Sequence, residues 1–238
     1  MSIKAPRGSD KPFIRLSLLS PKGAFLYKLR RNKLSFIICS YYTQNTEYEE
    51  VARNYLIKSL SAFPNLKSDV RGVENLHSWA KNTSYKAQFI IDMLEQHTEN
   101  IIFVDCDAEI ISYPELFDNI PNKYNFAAHT LDRNKFYGVN FDENHSKELL
   151  SGTLFIRNCK ENKSIVQEWN TTVKMFPQIW EQQILAKVLE KNNVDIFNLP
   201  NSYCRILTLP NGKEPNEKCD NPVIVHHQIS RSLRGKVK

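Results

Sequence analysis

The sequence predicts an α/β fold: a largely parallel central sheet with helices on both faces. Three observations carry this. Short apolar runs alternate with segments of helical period, roughly 10–17 residues each. The 238 residues suffice for one sizeable core. Hydrophobic residues at 41% and charged residues at 24% match an ordinary soluble globular chain.

Taken in order, residues 34–39 (LSFIIC) read as a buried strand and 40–45 (SYYTQN) as the loop leaving it. Thr46 and Glu49 form a capping box for the next helix, whose apolar stripe is Tyr48, Val51, Ala52, Tyr55, Leu56 and Leu60 and which Pro64 ends. Residues 67–73 are a weaker strand. A second helix over 82–97 turns Tyr85, Phe89, Ile90, Met93 and Leu94 inward, and 101–104 (IIFV) is a fully apolar strand. Further strands are predicted at 126–128 and 153–156, helices near 161–175 and 179–191, and closing strands near 195–198 and 223–225. The polar stretch 129–150 between them is expected to be a loop or lid. In such sheets ligands bind beyond the C-terminal ends of the strands, so residues that follow the apolar runs are the ones to weigh.

Charge and spacing exclude several classes. Residues 1–33 hold nine Lys/Arg against Asp10 alone, while the rest of the chain is slightly acidic. The basic balance therefore belongs to an N-terminal extension of 1–33, with one domain expected over 34–238. That extension reads either as a solvated leader or as an arm that meets an anionic membrane surface, and no nucleic-acid partner is expected for the acidic remainder. None of the seven glycines completes a dinucleotide-binding or P-loop spacing. No run is long and apolar enough for a transmembrane helix, and no secretory leader is expected. Five cysteines without a CxxC pattern fit reduced thiols, hence a cytoplasmic protein. Asn-x-Ser/Thr triplets at Asn82, Asn144, Asn162 and Asn170 are no more than an Asn-rich chain gives by chance.

The sharpest signal is Asp105-Cys106-Asp107 directly after the apolar strand. Carboxylates two apart on extended backbone share a face. They repel unless a cation compensates, and a hard divalent ion takes oxygen ligands. A second apolar run, Val223 to Val225, ends in His226 and His227, and imidazole beside carboxylates suits manganese. Strand alternation sends the two histidines to opposite faces, so only one of them can serve as a ligand. The basic tail of Arg231, Arg234, Lys236 and Lys238 suits a diphosphate.

Together these segments resemble the nucleotide-diphospho-sugar transferases of the GT-A glycosyltransferase fold. The resemblance is carried by Trp79, Asn82, Lys86 and Phe89, the Asp-Cys-Asp with its leading strand, the SGTLFIRN and WEQQIL segments, and VIVHHQISRSLR, and it covers about 34–234. It implies a metal-dependent glycosyltransferase, hexosyl or pentosyl, working in polysaccharide biosynthesis on a nucleoside-diphosphate donor such as a UDP-sugar and a glycan or other hydroxyl acceptor. On the same grounds Asp105 faces the ribose and the metal shell, while Asp107 and His226 bind Mn2+ or Mg2+. Ser40, Tyr41, Tyr42 and Thr43 would lie against the base, with Tyr41 or Tyr42 stacking on it. Lys86 would sit near the donor, Ser151 and Gly152 would line the sugar, and Glu181 and Gln182 would face sugar or acceptor. An inverting route needs a carboxylate base, for which Glu181 and Asp132 are candidates; the resemblance favours retention. Two other classes compete: a haloacid-dehalogenase-type phosphatase, whose motif wants a different residue at Glu109, and a non-catalytic anion- or nucleic-acid-binding module.

Overall fold

The computed structural model describes residues 35–233. Expectations for the 1–33 extension and for Arg234, Lys236 and Lys238 lie outside the described residues. Among the described residues no helix is long and apolar enough to cross a membrane.

The main sheet has six strands: β1 (Phe36–Thr43), β2 (Ser68–Val73), β3 (Asn100–Val104), β5 (Phe126–Asp132), β6 (Lys147–Ile156) and β7 (Ile196–Asn198). Their spatial order is β2-β1-β3-β6-β5-β7. β1 is parallel to β2 and β3, β5 is parallel to β7, and β6 is antiparallel to both of its neighbours. The sheet is thus mostly parallel, as the alternating pattern predicts, with β6 as the single reversed strand. The reason lies between β5 and β6. A parallel return needs a crossover, usually a long helix. Here the chain offers one short helix, α5 (Arg133–Tyr137), ended by Gly138 at φ 68°, and a 3-10 turn at Glu143–His145. The stretch expected to be wholly loop therefore contributes both a short helix and the first half of β6.

Three short strands make a second sheet in the order β4-β9-β8: β4 (Ala108–Ile110), β8 (Arg205–Ile206) and β9 (Ile224–His226). Too few residues alternate in β4 and β8 for periodicity to reveal them.

The first helix begins where its capping box predicts. Thr46 Oγ1 accepts from Tyr48 N at 3.2 Å, and Glu49 Oε2 accepts from Asn45 N at 3.1 Å. It runs as α1 (Glu47–Ala52), a π-helical turn (Arg53–Ile57) and α2 (Lys58–Leu60). The remaining helices are α3 (Trp79–Ser84), α4 (Lys86–Gln96), α6 (Lys160–Met175), α7 (Glu181–Lys191) and α8 (Ser230–Leu233).

Strand alternation splits the core in two. One cluster joins Ile37, Cys39, Ile101, Phe103 and Leu154 to the inward faces of α4, α6 and α7, around the fully buried Trp169. The other joins Phe36, Ile38, Ile102, Val104 and Phe155 to Leu56, Leu60 and Phe117 on the opposite face. Each fully buried side chain of this size contributes about 1.5–3 kcal/mol. These two layers clamp β1 and β3 and hold their C-terminal ends still.

Candidate active site

Three strands deliver three ligand-type side chains to one point. β3 is buried along Ile101, Ile102, Phe103 and Val104, and the chain leaves the core at Asp105. Val104 pairs with Thr153, and Asp105 N donates to Gly152 O at 2.9 Å, which locks the end of β3 to β6. β4 then pairs with β9 so that Ala108 stands opposite His226. That register sets His226 beside Asp107. As a result Asp105, Asp107 and His226 each offer a ligand atom within 4.8 Å of the others.

The cluster fits a divalent cation. His226 is 1% exposed, and its Nδ1 is buried, has no hydrogen-bond partner among the described residues and lies 3.7 Å from Asp107 Oδ1. Its Nε2 meets Thr153 Oγ1 at 2.8 Å, the kind of outer contact that orients a metal-ligating imidazole. Gly152 leaves room for both side chains: a Cβ there would lie 3.2 Å from both Asp105 Oδ2 and His226 Cε1, so one of them would have to give way. Burial opposes charge on His226, but the neighbouring Cys204 and Asp107 outweigh it, and its pKa is pushed up to about 10. Burial likewise works to raise the pKa of Asp107; its contacts with His226 and the Ile229 N–H, at 3.0 Å, prevail and hold it below the usual carboxylate value. Two carboxylates and one imidazole are donors that manganese or magnesium accepts.

His227 is committed elsewhere. Its Nε2 meets Glu109 Oε2 at 2.8 Å, and its ring stacks on Tyr55, which the π-helical turn presents, at 3.9 Å between centroids. Of the two histidines, only His226 joins the carboxylates.

Beside the cluster lies a buried ionic network. Lys86, 4% exposed, bonds Asp105 Oδ1 at 3.0 Å, Glu181 Oε1 at 2.8 Å and Ser151 Oγ at 2.9 Å. Burial alone would lower its pKa; Asp105 and Glu181 reverse that and raise it. A cation at the first residue of α4 opposes the helix dipole, and these carboxylates compensate. Glu181 opens α7, where a negative charge is favoured. Ser151 Oγ donates to Glu181 Oε1 at 2.9 Å, and Ser151 N donates to Gln182 Oε1 at 2.9 Å. Gln182 Nε2 in turn reaches Glu148 Oε1 at 2.8 Å.

Above this network opens a cavity of about 990 Å³, lined by Asp105, Asp107, Lys86, Ser151, Glu181 and Gln182 and also by Tyr41, Tyr42, Thr43 and Arg231. Tyr41 is engaged in packing: its hydroxyl donates to Asn82 O at 2.7 Å, and its ring meets Tyr85 and Phe89. Ser40 is fully buried below the cavity, and Arg231 donates to Thr208 O. Asp132 does not line the cavity. It caps α5 by accepting from Lys135 N at 3.2 Å and pairs with Lys147 Nζ at 2.6 Å, so its carboxylate serves the loop that carries it.

Four residues that touch the site or line its cavity are given no role by the sequence alone. Thr153 sits in an apolar strand, where Thr reads as an ordinary strand former. Glu148, Arg133 and Trp180 lie in or beside the 129–150 and 176–180 loops, and only Trp180, an aromatic directly before Glu181, carries any signal in the sequence.

A family model described as nucleotide-diphospho-sugar transferase matches residues 78–238. Among solved structures, the chain is similar to a glycosyltransferase involved in the glycosylation of the major capsid of PBCV-1. That match has a TM-score of 0.59 and 14% identity, over 84% of this chain and 96% of that one. It is also similar to mouse xyloside xylosyltransferase 1 in its apo form (TM-score 0.50, 10% identity, 82% of this chain and 98% of that one). The glycosyltransferase GlyE of Streptococcus pneumoniae TIGR4 aligns with a TM-score of 0.54 and 16% identity, over 82% of this chain and 55% of that one. At these identities the likeness is one of fold, the GT-A fold. Comparison with curated proteins returns no match.

Proposed function

The chain belongs to the nucleotide-diphospho-sugar transferase family, and from that premise we propose a divalent-metal-dependent glycosyltransferase that takes its sugar from a UDP-sugar and passes it to a glycan with retention. The observation that carries the metal reading is the convergence of Asp105, Asp107 and His226, with His226 Nδ1 buried and without a hydrogen bond among the described residues. These three residues would hold Mn2+ or Mg2+. When bound, the ion supplies a Lewis acid that takes up charge developing on the departing diphosphate.

The chain's own residues do the rest. Lys86 adds positive charge beside Asp105, already desolvated and fixed, so no reorganisation is needed as the leaving group departs. Arg231, at the cavity wall, takes phosphate oxygens. Tyr42 and Thr43 flank the nucleotide base, and Ser151, Gly152 and Gln182 line the sugar. Glu181 Oε1 already accepts from Lys86 and from Ser151. That ties the carboxylate to structural donors instead of an incoming hydroxyl, which favours a route in which the departing phosphate takes the acceptor's proton. The catalytic domain spans 34–238. Cytoplasmic residence is supported by five free cysteines, and the basic 1–33 extension would touch an anionic membrane surface.

Thermal unfolding against a panel of sugar nucleotides, with and without manganese, tests the reading. A donor at 100 times its dissociation constant adds about 2.7 kcal/mol of stability. A shift that needs both manganese and one donor, and that Asp107→Ala abolishes, is the expected result. No metal-dependent shift with any sugar nucleotide would overturn it.

A further inference from the structure

His227, the histidine outside the carboxylate cluster, is held by two other elements. Its ring stacks on Tyr55 with 3.9 Å between centroids and 28° between planes, and its Nε2 meets Glu109 Oε2 at 2.8 Å. Tyr55 comes from the π-helical turn Arg53–Ile57, Glu109 from the middle of β4, and His227 from the residue after β9. π-helical turns are rare and recur at functional sites. The same helical segment is tied to β4 a second time, because Ser59 Oγ accepts from Ile110 N at 3.0 Å.

Behind this ring comes a turn that grips Asp107. The His227 N–H donates to Asp107 O at 3.2 Å, and the Ile229 N–H donates to Asp107 Oδ2 at 3.0 Å. Between the two donors stands Gln228 at φ 55°, in the left-handed region that a residue with a Cβ rarely enters. Such a backbone persists only where its surroundings hold it. Its neighbour on the N-terminal side is the imidazole fixed by Tyr55 and Glu109. With Oδ2 taken by Ile229, Oδ1 is the oxygen left for an ion, and it is the one 3.7 Å from His226 Nδ1.

We propose that Tyr55 and Glu109 are positioning residues for the metal: acting through His227 and the turn behind it, they set the Asp107 carboxylate at the angle a divalent cation requires. The proposal rests on the metal reading above and names what holds one of its ligands in place.

Titration of the full chain with Mn2+, read by electron paramagnetic resonance without and then with UDP, tests it. Hydrogen exchange at the Ile229 amide of the metal-free protein, measured in parallel, reads the turn itself. Tyr55→Leu is expected to weaken Mn2+ binding about tenfold and to speed Ile229 exchange about as much, while Tyr55→Phe, which keeps a ring, stays within about twofold of the unaltered chain. Glu109→Ala and Glu109→Gln lose the same charge, but only Gln keeps a hydrogen-bonding group for the imidazole, so Ala is expected to bind Mn2+ about threefold more weakly than Gln. A folded Tyr55→Leu that binds Mn2+ like the unaltered chain, or that loses affinity with Ile229 exchange unchanged, overturns the proposal and leaves the metal reading standing. Tyr55→Phe as weak as Tyr55→Leu overturns it too, because the stacked ring would then not be what acts. If circular dichroism shows Tyr55→Leu unfolded, the Glu109 pair decides, and equal affinity of Ala and Gln overturns the proposal. An unaltered chain that binds no Mn2+ in either condition overturns the metal reading, and the proposal with it.

Discussion

Two groups of residues at the cavity are held differently. In the first, Asp105, Asp107 and His226 hang from the ends of β3 and β9, with Lys86 and Glu181 buried beside them and bonded to one another. Trp180, Arg133 and Glu148, which line the same cavity, sit at loops or element ends and are partly open to solvent. The first group has little freedom, because every carboxylate there is tied to strand register or to an ion pair. The second varies with loop sequence at small cost to the fold.

If the first group is as tightly coupled as its contacts imply, breaking it should cost most. Lys86→Met leaves the buried Glu181 and the partly exposed Asp105 without their shared cation. Removing one partner of such a group costs about 3–5 kcal/mol, which urea unfolding would read directly; a loss below about 1 kcal/mol would mean that water screens the pair. Next comes Gly152→Ala. Its Cβ would press on Asp105 and His226 at 3.2 Å, and manganese affinity by calorimetry should fall about tenfold, at the lower end of what disturbing a metal site costs, while urea stability changes little.

The raised pKa of His226 sharpens the contrast through pH. With its ordinary value of 6.5 lifted to about 10, the metal-free folded protein holds a proton there that the unfolded chain releases. Between these values the folded state binds more protons, so metal-free stability should fall as pH climbs from about 6.5 to about 10. Metal binding at pH 7 should release about one proton, seen as a calorimetric enthalpy that depends on the buffer. Stability that rises over that range, or a buffer-independent enthalpy, would contradict the assignment. The smallest effect is expected at Asp132, which serves its own loop. Asp132→Asn should change the transfer rate by less than about twofold, whereas loss of a general base would cost at least about a hundredfold.

How much of this was legible in the sequence follows the same division. The Asp-Cys-Asp motif stood out because an unbroken apolar strand ran straight into it, and a buried strand must end where solvent begins. The pair of histidines was legible only as a choice of one. Alternation separates their faces, but the register of β9 against β4 decides which face meets Asp107, and that pairing joins residues more than a hundred positions apart. The reversal of β6 was hidden for a related reason: direction is set by what the polar 129–150 stretch cannot supply, a crossover helix. Asp132 looked like a base because a carboxylate in a polar loop has no periodicity to mark it as a cap. Glu148 meets Gln182 and Arg133 only through tertiary folding, and no local pattern brings them into one view.

The central claim is that Asp107 and His226 Nδ1, with Asp105, hold a divalent ion at the rim of the main sheet. Diffraction at the manganese absorption edge from crystals soaked with Mn2+ and a UDP-sugar measures this directly. The account predicts one strong anomalous peak within about 2.0–2.3 Å of an Asp107 oxygen and of His226 Nδ1, with density for the diphosphate beside it. A diphosphate bound in the cavity with no peak there, or with the peak on other residues, would contradict it.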